Sequence, residues 1–82
     1  MTCADLIRAV DLAVAGDWER AHEIVQQAEA DPTAAWIHAV IHRTEGDLGN
    51  ARYWYRRAGR QVDDGRDPRD ELREIRASLK TG

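Results

Sequence analysis

Gly16-Asp17-Trp18-Glu19-Arg20-Ala21 and, thirty residues later, Gly46-Asp47-Leu48-Gly49-Asn50-Ala51 are the stretches that decide the fold. In each, a glycine suited to a left-handed backbone precedes an aspartate suited to capping a helix, and an alanine follows four residues after the cap. Working outward, Ala28 recurs as Ala58, Ala9 as Ala39, and Val25 is matched by Tyr55 at the same offset. The unit is a helical hairpin: helix, Gly-Asp turn, helix. Alanine at the crossing lets the two backbones approach closely, and the larger residues of the same stripe face the next hairpin.

Caps and periodicity extend this to five helices. The first is predicted from about Ala4 to Ala15, with Thr2 and Asp5 placed as a capping box and Leu6, Ala9, Val10, Ala13 and Val14 at helical spacing. The second, Trp18 to about Ala30, carries Trp18, Ala21, Ile24, Val25 and Ala28 on one face. Asp31-Pro32 pairs a cap with a proline at the first helical position and opens a third helix to Glu45. The fourth runs from Leu48 to about Arg60, residues 61–66 read as a polar loop, and Asp67-Pro68 opens a fifth helix to about Leu79. No segment alternates with period two. The expected fold is all-α and one domain over 1–82: repeats at about 4–30 and 33–60, the loop, and a capping helix at 67–79.

Composition removes several classes of function. Eighty-two residues with a net charge of −3 allow one small domain, and no run approaches the ~20 apolar residues of a membrane span. The N-terminus shows no basic-then-apolar leader, and the lone Cys3 forms no internal disulfide, so a cytoplasmic protein is expected. Residues 1–50 hold three Arg against nine acids; residues 51–82 hold nine basic residues against six acids. Ser78 has no histidine near it in sequence, Cys3 lies in a terminal turn, and no glycine-rich loop is present. Neither an enzyme nor a bound cofactor is expected.

The run Gly16-Asp17-Trp18-Glu19-Arg20-Ala21…Val25…Ala28…Asp31-Pro32 resembles the second half of a tetratricopeptide repeat running into the next. Gly46-Asp47…Ala51…Trp54-Tyr55…Ala58 repeats it, and its Ala-x-x-Trp-Tyr-x-x-Ala core is similar to the related Sel-like repeats. The Asn50-to-Tyr55 run with the nearby histidines also resembles a small bacterial family. The likeness covers about residues 4–60, at a period of thirty rather than thirty-four. It implies two hairpins, a C-terminal capping helix, and a protein or peptide partner, with self-association as one form of it.

By that resemblance the first helix of each hairpin lines a concave groove through Leu6, Val10, Ala13, Trp36, Val40 and Arg43. An apolar groove open to water is unusual in a stable monomer. Either the fifth helix fills it with Leu72, Ile75 and Leu79, or a second copy or a partner's apolar segment does. Trp36, Val40 and Arg43 are the candidate contacts here. A second candidate surface is Tyr53 with Arg56, Arg57 and Arg60, near Arg52 and Asn50. An exposed aromatic ringed by arginine stacks on planar groups or pairs with carboxylates, and its alternative is an ordinary solvated face. The acidic chain and the single-helix extent of the patch argue against nucleic acid. The only candidate metal ligands are His38 and His42, four apart on one helix side, with His22 within reach from the second helix. Histidines bonded to backbone or glutamate are the plainer reading of the same three.

Overall fold

The computed structural model describes residues 2–62 and 65–81, Thr81 by its backbone alone. Met1, Asp63, Asp64 and Gly82 lie outside the described residues, Asp63 and Asp64 within the predicted loop. The described residues form five α-helices: α1 Cys3–Val14, α2 Trp18–Val25, α3 Pro32–Thr44, α4 Leu48–Arg57 and α5 Pro68–Thr81. A single 3₁₀ turn, Gln26–Ala28, follows α2, and no strand occurs among the described residues.

Local chemistry sets the helix starts. Asp17 Oδ1 accepts from the Arg20 N–H at 3.2 Å, and Asp47 Oδ1 accepts from Asn50 N–H at 3.3 Å. Before the two prolines, Asp31 and Asp67 accept from Thr33 N–H and Arg69 N–H, each at 2.8 Å. Thr2 and Asp5 form the expected capping box. The Thr2 bonds hold the Asp5 carboxyl below its ordinary range.

The ends are set by glycine. Gly16 has φ 90° and Gly46 φ 84°. At the first, Gly16 N–H donates to Ala13 C=O (3.0 Å) and Asp17 N–H to Leu12 C=O (2.9 Å). At the second, Gly46 N–H donates to Arg43 C=O and Asp47 N–H to His42 C=O. These are the paired bonds of a left-handed C-terminal cap. A third copy at Gly59, φ 74°, with Arg60 N–H on Tyr55 C=O, ends α4 at Arg57, short of the expected Arg60. The second helix also stops short of Ala30: after Val25 its last turn tightens into the 3₁₀ form.

The centre of the molecule is α3. Residues 34–41 are all buried, because α1, α2, α4 and α5 pack around it. α1 packs on α2 and α3 on α4, and Ala9, Ala13, Ala21, Ala39 and Ala51 are completely buried. α5 lies against α1 and α3, with Leu72 and Ile75 fully buried and Leu79 partly so. Removing each of those two side chains from water stabilises the fold by about 1.5–3 kcal/mol. Arg76 Nε pairs with Asp11 Oδ1 of α1 at 2.8 Å. No helix among the described residues is long and apolar enough to cross a membrane.

Candidate functional site

The groove is closed. Trp36 (4% exposed) and Val40 (0%) are buried, and the Arg43 side chain is 7% exposed. The expectation that these three meet an outside partner is corrected here: Leu72 and Ile75 occupy the apolar surface, and Glu71 takes up the polar groups. Its Oε1 accepts from Arg43 Nη2 at 2.9 Å, and its Oε2 accepts from Trp36 Nε1 at 2.6 Å. The Tyr55 hydroxyl lies 2.8 Å from both carboxylate oxygens. Arg43 Nη1 donates to the Arg66 carbonyl at 2.7 Å, and the Arg60 guanidinium stacks 3.3 Å over the Trp36 ring. Burial and the carboxylate beside it push the Tyr55 hydroxyl up, so it stays protonated and donates. Burial works against the Arg43 charge, but Tyr55 and Glu71 outweigh it and raise its pKa. The group is a buried ion pair whose remaining lone pairs are satisfied, which is the condition for tolerating such a pair.

Sequence reasoning missed Glu71. The signal was a single cation on an otherwise apolar groove, which needs a counter-ion, and an acid directly beside Leu72 on the helix with the matching stripe.

The arginine face divides in two. Arg57 Nη1 donates to the Tyr53 hydroxyl at 2.9 Å, and its guanidinium lies 5.2 Å from the Trp54 ring centre. Arg60 is spent on Trp36 and on a 3.9 Å approach to Glu74. Tyr53 is 43% exposed, and Arg52 and Arg56 project into solvent beside it. Arg52, Arg56 and Arg60 border a surface depression of about 320 Å³ that Tyr55, Gln61 and Val62 complete.

The three histidines do converge. His22 Nε2 lies 2.7 Å from His38 Nε2, a hydrogen bond whose donor depends on the tautomer. The His38 and His42 rings stack at 4.8 Å, and His38 stacks on Trp54 at 4.0 Å. One nitrogen from each ring can be chosen so that all three lie within 4.8 Å of one another. The Nδ1 atoms of His38 and His42 are buried with no hydrogen-bond partner among the described residues. Burial, then the charges of His22 and His42, push His38 down to about 3. Burial and His22 lower His42, against the opposing pull of Asp47 and Glu45. The buried ring is therefore neutral at pH 7, with a lone pair to offer. Cys3 is exposed, at the start of α1.

Compared with known families, curated proteins and solved structures, the chain shows no significant match.

Proposed function

We propose that the chain is a small protein-interaction module built of two tetratricopeptide-like hairpins, α1–α2 and α3–α4, with α5 as the capping helix. The duplicated turns support this: Gly16 and Gly46 share a left-handed backbone, Asp17 and Asp47 share a cap, and Ala21 and Ala51 are both fully buried. With the groove occupied by α5, the partner meets the outer face of α4. The observation that carries the reading is the setting of Arg52 and Arg56. They form no ion pair among the described residues and stand beside exposed Tyr53, at the rim of a depression partly lined by Val62. That combination suits an acidic protein segment carrying one apolar side chain.

The test is affinity capture from the source organism's lysate, comparing the native chain with an Arg52→Ala/Arg56→Ala variant. Neither side chain supports the fold, so circular dichroism is expected to be unchanged while the captured protein is lost. An identical captured set from both would remove α4 as the contact face.

A further inference from the structure

We propose that His22, His38 and His42 form a mononuclear site for a borderline divalent transition ion of the zinc type, linking α2 to α3. Two independent observations point to it. The first is convergence: α3 presents His38 and His42 one turn apart, and α2 brings His22 against them. Zinc–imidazole bonds of about 2.0–2.1 Å place ligand nitrogens roughly 3.3 Å apart around a tetrahedral ion. The three candidate nitrogens, one from each ring, lie within 4.8 Å of one another, wider than that spacing. Ring shifts on the order of 1 Å therefore complete a three-nitrogen set. The second is the pair of buried, unpartnered Nδ1 atoms on His38 and His42. Buried polar atoms in folded proteins almost always have a partner, and a cation bound between the two rings supplies one to both.

The donor chemistry selects the ion. Three imidazoles with no thiolate and no carboxylate in the set suit zinc, nickel or copper rather than calcium or magnesium. Three protein ligands leave a fourth position for water. The Asp47 carboxylate, with Oδ2 3.8 Å from His42 Nδ1, adds negative charge beside the set. Trp54 closes one side, and half-buried His22 and His42 mark the side from which an ion enters.

The experiment uses the full chain, prepared without a polyhistidine tag, stripped with a chelator and titrated with Zn²⁺ by calorimetry and with Co²⁺ by visible absorption. Saturation at one ion per chain, cobalt–imidazole ligand-field bands and a raised melting temperature are expected. His22→Ala and His42→Ala, at half-buried positions, are each expected to weaken zinc binding at least about tenfold, with folding checked by circular dichroism. A folded native chain that takes up no zinc and shows no cobalt bands overturns the proposal, whatever the variants do. Zinc uptake undiminished in both folded variants overturns it equally, because the ion then sits elsewhere.

Discussion

Glu71 shows how one residue fixes the position of a helix. It gathers Arg43, Trp36 and Tyr55 from two other helices onto one carboxylate. Glu71→Ala leaves the Arg43 guanidinium buried and unpaired, and urea unfolding is expected to show a loss of about 3–5 kcal/mol. A Glu71→Leu/Arg43→Met double variant is expected to recover part of it, since the pair acts as a unit. His38 gives a residue-scale pH effect in chelator-treated protein. The unfolded chain titrates near 6.5, while the folded one holds His38 at about 3. Between those values the unfolded state binds a proton that the folded state refuses, so the His38 contribution is full above pH 6.5 and drains away as pH falls toward 3. Around it stand His22, His42 and the Trp54 ring, with Asp47 and Glu45 acting on His42. Melting temperatures at pH 7 and pH 5 are expected to differ less in His38→Phe, which keeps the stack and removes the titration.

At the scale of elements, the turns were the most legible part of the chain. Gly-Asp is a local signal: the glycine supplies positive φ and the aspartate a cap, whatever surrounds them. Gly46→Ala meets no neighbouring atom, so its cost is backbone strain alone, about 1–2 kcal/mol by thermal unfolding. The buried crossing is tested by Ala51→Leu, which is expected to overpack α4 against α3 by about 1–3 kcal/mol. The end of α4 was misread because Gly59 lies inside an otherwise helical run, Tyr55 to Arg60, and its C-cap bonds decide the boundary. The histidine cluster was legible because an i, i+4 pair necessarily shares a helix side. Glu71 was not, because helical spacing places a charge beside a stripe without showing that a partner waits across the groove.

Across the whole molecule the decisive feature is that α5 packs against α1 and α3 and buries Leu72 and Ile75. Only 22 residues are apolar and larger than alanine, a thin core for a chain of 82. Truncation after Arg66 removes Leu72, Ile75 and the Arg43 counter-ion together, and is expected to give aggregation or a large fall in melting temperature. The most direct measurement is hydrogen–deuterium exchange of the intact chain, resolved by residue. With α5 a permanent part of the core, the amides of Leu72 and Ile75 exchange only through global unfolding, at the same rate as those of Val40 and Ile41 in α3. Exchange of Leu72 and Ile75 orders of magnitude faster, with α3 still protected, would contradict this and show a groove that opens to a partner.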